Sequence, residues 1–187
     1  MSSPTIAVLC GSLRKNSVNR IVAHAQPDLA PAGVTVVQAP SIAEIPLYNQ
    51  DTAEPIPASV TAVGDVLRAA DGVVIVTPEY NYSVPGGLKN AIDWISRLPE
   101  KPLSGKPLAI QTASPGVIGG ARCQYHLRQI LVFLNAMVLN KPEVMIGSYG
   151  NKIDAEAGTL TDQGTRDHIA MQLAALVAMI EQLKPRS

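Results

Sequence analysis

Aromatic residues and surplus charge are both scarce in this sequence. Phe, Trp and Tyr make up 4% of its 187 residues, so aliphatic side chains must build the core, as is usual in layered α/β proteins. Fifteen basic residues balance fifteen acidic ones, which argues against a nucleic-acid-binding protein because such proteins carry a basic surplus. With 47% apolar residues, the chain can bury about 70% of its unfolded surface as one domain, residues 1–187.

Cysteine, histidine and long apolar runs are also too few to support several other classes. The two cysteines, Cys10 and Cys123, form no CxxC pair, and we expect Cys10 to be a buried strand residue. The three histidines show no metal-ligand spacing, so no metal site is predicted. No apolar run approaches the roughly 18 residues of a membrane helix, and no signal peptide is recognisable. These absences favour a cytoplasmic protein without a membrane segment.

Five apolar runs alternate with five helical patterns along the chain. The runs cover residues 6–10, 34–38, 73–77, 107–112 and 143–147. The helical patterns cover residues 17–26, 57–70, 86–98, 120–137 and 165–183. Such alternation predicts an α/β protein with a doubly wound parallel sheet and helices on both faces. A strand order of 2-1-3-4-5 would bring the loops after strands one and three together, where open α/β sheets bind their ligands.

The loop after the first strand, Gly11–Arg20, has the composition of a phosphate site. Its helix start offers free N–H groups, its hydroxyls and amide add neutral donors, and Arg14 adds a forked cation. The single glycine fits neither the dinucleotide pattern nor the nucleoside triphosphate loop, so a terminal monophosphate fits better. An ordinary capped helix start, with Asn16 or Ser17 as the cap, is the alternative. The candidate residues are Ser12, Arg14, Ser17, Val18 and Asn19.

The loop after the third strand, Thr77–Asn90, has the composition of a site for a planar ligand. It combines proline-restrained backbone, two tyrosines, side-chain amides and two glycines. The alternative is that the tyrosines only pack against the protein. We expect Glu79 to be buried and hydrogen-bonded rather than to act as a base. The candidate residues are Pro78, Glu79, Tyr80, Asn81, Tyr82 and Ser83.

The loop after the fourth strand should form a third wall of the same site. Ser114 and nearby backbone N–H groups can bind the polar edge of a ring, and Gly116 permits close approach. A plain glycine-rich connection is the alternative. A monophosphate loop beside a loop for a planar ring predicts flavin mononucleotide (FMN) as the cofactor.

These segments carry a resemblance to a known family. The segments Gly11–Arg20, Thr77–Arg97 and Ala113–Arg122 resemble the NAD(P)H-dependent FMN reductases, in particular the chromate and quinone reductase branch. The resemblance implies a flavodoxin-like fold and tightly held FMN, with NADPH or NADH as co-substrate. It also implies two-electron reduction of quinones and other acceptors such as chromate, and a homo-oligomer, either a dimer or a dimer of dimers (a homotetramer).

The sequence thus predicts an FMN-dependent oxidoreductase with ping-pong kinetics, and no catalytic side chain is expected because the flavin carries the chemistry. A flavodoxin-like electron carrier without its own NAD(P)H oxidation is the main alternative. Zero net charge is against a carrier, since carriers use an acidic surface for steering. A response-regulator-like domain would need acidic residues where this chain has Cys10-Gly11-Ser12.

Overall fold

The computed structural model describes residues 3–183, whose strands form one six-stranded parallel sheet and one separate hairpin. The strands are β1 (Thr5–Cys10), β2 (Thr35–Gln38), β3 (Gly72–Thr77), β4 (Pro107–Ala113), β5 (Met137–Val138), β6 (Val144–Ile146), β7 (Ile153–Asp154) and β8 (Thr159–Leu160). The α-helices are α1 (Val18–His24), α2 (Gln26–Leu29), α3 (Ala58–Ala69), α4 (Gly86–Ile95), α5 (Ala121–Phe133) and α6 (Gln163–Leu183). No helix among these residues has the length and apolarity that crossing a bilayer requires.

The main sheet has the order β2-β1-β3-β4-β5, with β6 also paired to β4. Every pairing in it is parallel. This confirms the predicted strand order and the flavodoxin-like fold. The fifth strand, however, consists of two pieces: β5 pairs with the start of β4 and β6 with its end. The prediction of one strand at 143–147 therefore described only the second piece.

Side chains from two helices satisfy the backbone between the two pieces of the fifth strand. Arg128 of α5 donates to the Leu139 carbonyl at 3.0 Å, and Gln172 of α6 donates to the Pro142 carbonyl at 2.8 Å. The Nε2 atom of His168 lies 2.8 Å from the Glu143 carbonyl oxygen. Because buried carbonyls need partners, these three side chains allow the strand to leave the sheet and return.

The core lies on both faces of the sheet, as predicted. β3 and β4 are buried along their whole length, and alternate residues point to opposite faces. Leu9, Ile75 and Ile110 belong to the cluster on one face, whereas Val8 and Val74 belong to the cluster on the other. Each fully buried Val, Leu or Ile contributes about 1.5–3 kcal/mol relative to exposure. An aliphatic core therefore holds the ends of the strands in fixed positions.

Two helix predictions were wrong at their carboxyl ends. The helix predicted at 17–26 is divided into two, α1 and α2. The helix predicted at 120–137 stops at Phe133 because Asn135 adopts a left-handed φ of 55°. The N–H of Asn135 bonds the Val132 carbonyl at 3.0 Å, and that of Ala136 bonds the Leu131 carbonyl at 3.2 Å. This is a Schellman ending, and it releases the chain to form β5. The β7–β8 hairpin was not predicted.

Close packing at Gly11 fixes the junction between the first loop and the second loop, which follows β3. The Gly11 N–H donates to the Val76 carbonyl at 2.8 Å, so the first loop stays tied to β3 beyond the end of β1. A Cβ at this position would lie 2.5 Å from Thr77 Oγ1 and 2.8 Å from a Leu88 methyl. Only glycine fits this approach, and it brings the two loops into contact.

Candidate functional site

Loops from the carboxyl ends of β1, β3 and β4 meet around a small cavity of about 70 Å³. Most of the candidate residues line it. The lining residues are Ser12, Arg14, Ser17, Val18, Asn19, Pro78, Glu79, Tyr80, Ala113, Ser114, Pro115 and Tyr149. The structure thus brings the predicted phosphate loop and the start of the predicted ring loop together.

Two hydroxyls in the first loop lack the partners that their positions would normally give them. Ser12 is 3% exposed, and its Oγ atom has no hydrogen-bond partner within residues 3–183. Ser17 occupies the N-cap position of α1 but makes no side-chain capping bond. A buried polar atom without a partner costs about 1–3 kcal/mol, so this arrangement does not suit a purely structural helix start. Arg14 is exposed and takes part in no ion pair of the described chain.

Asn19 already has structural partners. Its Nδ2 atom donates to the Ala113 carbonyl at 3.0 Å, and its Oδ1 atom accepts from the Ala113 N–H at 2.9 Å. This pair of bonds ties the first loop to the end of β4. Val18, 7% exposed, packs into the core. Both residues line the cavity, but their side chains mainly hold its walls.

The exposed tip of the second loop is a two-residue hairpin turn. Tyr80 and Ser83 exchange backbone hydrogen bonds of 3.0 and 2.9 Å. Asn81 and Tyr82 between them have φ values of 48° and 66°, which is the type I′ pattern. Such conformations cost non-glycine residues about 1–3 kcal/mol each and often mark functional sites. Tyr80 and Tyr82 are 46% and 65% exposed, so both rings remain accessible to a ligand.

Glu79 uses its carboxylate to bind the start of α5. Its Oε2 atom accepts from the Cys123 N–H at 3.0 Å, and its Oε1 atom lies 3.6 Å from Arg122. The guanidinium of Arg122 in turn lies over the Tyr82 ring. The Glu79 side chain is 12% exposed, so it is largely buried and hydrogen-bonded, as expected. Glu79 therefore connects the second loop, which follows β3, to α5, the helix after the third loop, which follows β4.

Neither cysteine is suited to thiolate chemistry. The Cys123 thiol is fully buried and donates to the Pro78 carbonyl at 3.4 Å. Burial raises its pKa to about 12, and the nearby Glu79 carboxylate adds to the increase. Burial also raises the pKa of Cys10, which is partly exposed. No cluster of three or more His, Cys, Asp or Glu within residues 3–183 is placed to hold a metal ion.

Four of the predicted residues lie outside the cavity lining: Asn81, Tyr82, Ser83 and Gly116. Asn81 and Tyr82 form the exposed turn described above. The Gly116 carbonyl accepts from the Ser114 hydroxyl at 3.4 Å and from the Ser148 N–H at 3.2 Å.

Sequence reasoning missed two residues near this site. His126 places its Nδ1 atom 3.0 Å from the Ser83 hydroxyl, although the sequence suggested only a solvated or packed histidine. Tyr149 reaches the cavity from the turn after β6. Its position just beyond the carboxyl end of the fifth strand was the available signal, because side chains there face the same edge of the sheet.

Comparison with known proteins assigns the family. The family model described as NADPH-dependent FMN reductase matches residues 4–151. The chain belongs to this family. This membership confirms the resemblance drawn from the loops and identifies an enzyme family that works with FMN and a nicotinamide cofactor. The chain is therefore an enzyme of that class, which the electron-carrier alternative does not explain.

Relatives in this family are similar over nearly their whole length. A quinone reductase of Escherichia coli K12 is 61% identical over 181 residues, covering 96% of both chains. An NAD(P)H-dependent FMN reductase of Pseudomonas aeruginosa is 50% identical over 177 residues, covering 94% of this chain and 95% of that protein. The solved structure of FerB, a flavoenzyme NAD(P)H:(acceptor) oxidoreductase of Paracoccus denitrificans, is similar at a TM-score of 0.84 with 36% identity. That similarity covers 96% of this chain and 98% of FerB.

Proposed function

We propose that the cavity at Ser12–Asn19 holds the phosphate of FMN. The observation that carries this proposal is the buried Ser12 hydroxyl, which has no hydrogen-bond partner within residues 3–183. Ser17, which lines the same cavity, occupies the N-cap position of α1 but makes no side-chain capping bond. A phosphate oxygen would accept from these hydroxyls and from the backbone N–H groups at the start of α1. Arg14 would add a charge-assisted hydrogen bond. The residues present therefore fit a monophosphate ester.

We propose that the flavin ring lies along Pro78–Ser83 and against Ser114 and Gly116. The cavity of about 70 Å³ is smaller than the roughly 300–1,000 Å³ of a pocket that encloses a whole ligand. It suits the phosphate end, while the ring would extend over the exposed turn of Asn81 and Tyr82. In this arrangement Asn19, Val18 and Glu79 hold the walls that position the contacting residues.

We propose that the protein catalyses the reduction of quinones by NADPH or NADH. Its similarity to a quinone reductase and to an NAD(P)H-dependent FMN reductase supports this. When bound, FMN would supply a group that takes two electrons from the nicotinamide and passes them to the quinone. The chain's own residues bind and orient the ring and leave one side of it open. Tyr80 and Tyr82 border this open side and limit it to one planar substrate at a time.

A single open slot leads to ping-pong kinetics, because the nicotinamide must leave before the quinone enters. We propose chromate as a further acceptor, reduced at the same exposed ring. Full reduction of chromate takes three electrons whereas one hydride carries two, so it would need more than one turnover. We also propose that the protein is a single cytoplasmic domain over residues 1–187 and that it forms a homo-oligomer, which sedimentation analysis tests.

Steady-state kinetics with the FMN-loaded protein test the proposed function. Oxidation of NADPH and of NADH is followed with 1,4-benzoquinone as acceptor, varying both substrates. We expect quinone-dependent oxidation with parallel double-reciprocal lines and no loss of rate in chelator. Intersecting lines would contradict the single slot. No nicotinamide oxidation by the loaded protein would contradict the enzymatic function and favour an electron carrier.

A further inference from the structure

A second and larger cavity lies at the opposite edge of the sheet from the candidate site. α4 and α5 begin beside the site loops and run to the amino-terminal edge, where they end at Ile95 and Phe133. The segments after these helices enclose about 340 Å³, which is within the range of pockets that bind small ligands. Its lining includes Arg97, Lys101, Leu103, Ser104, Phe133 and Leu134.

The floor of the cavity is apolar. Leu103 is 2% exposed and backs the floor from below, and the half-buried Leu134 forms its accessible part. Phe133 stands at the rim with 83% of its surface exposed. An aromatic ring exposed beside an apolar floor suits a flat organic group, which would cover both.

The polar part of the lining is cationic. Arg97 and Lys101 both reach the cavity, and no Asp or Glu lines it. The two acidic residues nearest in sequence are engaged elsewhere: Asp93 pairs with Lys89 at 2.7 Å, and Glu100 pairs with Arg68 at 2.6 Å. Neither Arg97 nor Lys101 forms an ion pair in the part of the chain that the structure describes.

The two helix ends do not cancel this positive charge. α4 and α5 both end at this edge, and each carboxyl end carries roughly half a negative charge. Their sum, about one negative charge, faces two full positive charges from Arg97 and Lys101. The negative charge at the end of α5 is also partly neutralised, because the Asn135 N–H donates to the Val132 carbonyl of that helix. The cavity therefore keeps a positive surplus.

Contacts with neighbouring residues hold Arg97 and Ser104. The Arg97 guanidinium carbon lies 5.4 Å from the centre of the Tyr48 ring, a cation–π distance. Lys101 is exposed and has a left-handed backbone φ of 40°, which is uncommon for a residue other than glycine. The Ser104 hydroxyl accepts from Asn135 Nδ2 at 3.2 Å, which leaves its own hydrogen free to donate. The lining thus presents donors around an apolar floor.

We propose that this cavity binds a small aromatic anion, a flat ring system that carries one carboxylate or sulfonate. The ring packs on Phe133 and Leu134, and the anionic group lies between Arg97 and Lys101. This site is separate from the FMN cavity and does not depend on the proposed redox function. Both could be occupied at once.

Isothermal titration calorimetry of the FMN-loaded protein with 2-naphthoate tests the proposal. We expect one site per chain, and much weaker binding of 2-naphthalenemethanol, which has the same ring system without the charge. Arg97→Gln and Lys101→Gln should each weaken naphthoate binding by about threefold to tenfold. Lys141→Gln is the matched control, because Lys141 is an exposed lysine that does not line the cavity, and it should leave the affinity unchanged.

Three results would overturn the proposal. The first is no binding at about 5 mM naphthoate, which is also the result expected if a second copy of the chain covers the cavity. The second is binding that Lys101→Gln and Arg97→Gln leave unchanged. The third is binding that benzoquinone displaces, because the ligand would then lie at the flavin.

Discussion

The guanidinium carbon of Arg122 lies 3.8 Å from the centre of the Tyr82 ring. The same guanidinium lies 3.6 Å from the Glu79 carboxylate. Arg122 therefore connects the largely buried acid at the base of the second loop with the exposed tyrosine at its tip. This contact holds a turn that has two residues in left-handed backbone conformations, Asn81 and Tyr82.

Arg122→Ala should disorder this turn without unfolding the protein. A cation–π contact contributes about 0.5–2 kcal/mol, so kcat/KM for a quinone should fall by roughly twofold to thirtyfold. Arg122→Lys, which keeps the charge beside Glu79, should have a smaller effect. Amide hydrogen exchange at Asn81–Ser83 should become faster in the alanine variant. Unchanged kinetics and unchanged exchange would show that the turn keeps its conformation without the Arg122 contact.

Ser12→Ala should have opposite effects on the apo-protein and on FMN binding. Without ligand, the substitution removes a buried hydroxyl that has no partner, so the free energy of unfolding should stay equal or rise by up to about 1–2 kcal/mol. With ligand, a donor to phosphate is lost, and FMN affinity should fall by about tenfold. Thermal unfolding of the apo-protein and fluorescence titration with FMN measure the two effects. A destabilised apo-protein would mean that the hydroxyl has a structural partner.

Arg14→Ala should weaken FMN binding by about tenfold to a hundredfold, the usual value of a charge-assisted phosphate contact. Lys15→Ala is the control, since Lys15 is the adjacent exposed cation and does not line the cavity. Titration of both apo-variants with FMN at two salt concentrations compares them. Equal losses in the two variants would indicate general electrostatic attraction rather than a contact made by Arg14.

Gly11→Ala should separate the first and second loops. The new methyl group would overlap Thr77 and Leu88, at a cost of about 1–3 kcal/mol in the free energy of unfolding. This corresponds to a loss of roughly 2–12 °C in Tm for a chain of this size. Gly86→Ala is the control, because no atom lies within 4 Å of its added methyl group. A Gly11→Ala protein as stable as the control would show that the junction adapts.

The sequence predicted the parallel sheet because strand patterns alternate with helical ones, and β3 is an almost continuous apolar run. The strand order was chosen because it brings the loops after strands one and three together. The sequence predicted most of the cavity lining for the same reason, since loops at one edge of such a sheet must meet. It could not predict that α5 stops at Phe133, because the apolar spacing continues past it and only the conformation of Asn135 ends the helix. β5 and the β7–β8 hairpin have two residues per strand, too few to show a period.

Long-range side-chain partners were also beyond sequence reasoning. His126 and Ser83 lie 43 positions apart, and nothing in the local pattern of either residue identifies the other. The two hydrogen bonds between the Asn19 side chain and the Ala113 backbone span 94 positions. The sequence suggested a ligand contact for the Asn19 amide and gave no indication of this backbone partner. Such pairs depend on the packed fold rather than on spacing along the chain.

Both cysteines should be unreactive in the native protein at pH 8. Burial raises the pKa of Cys123 to about 12 and also raises that of Cys10, so the thiolate fraction is very small. The raised folded-state pKa of Cys123 also means that stability falls as the pH rises from the unfolded thiol value of about 8.5 towards 12. Iodoacetamide labelling followed by mass spectrometry tests reactivity. Rapid labelling of Cys123 in the native protein would show that α5 opens easily.

The identity and amount of the flavin released on denaturation test the central claim most directly. The purified protein, saturated with flavin and then freed of excess, is denatured, and the released flavin is separated by chromatography. We expect FMN, close to one per chain, after loading with an equal mixture of FMN and FAD, because the cavity at Ser12–Asn19 fits one terminal monophosphate. FAD as the main species, or no retained flavin, would contradict the assignment of this cavity to FMN.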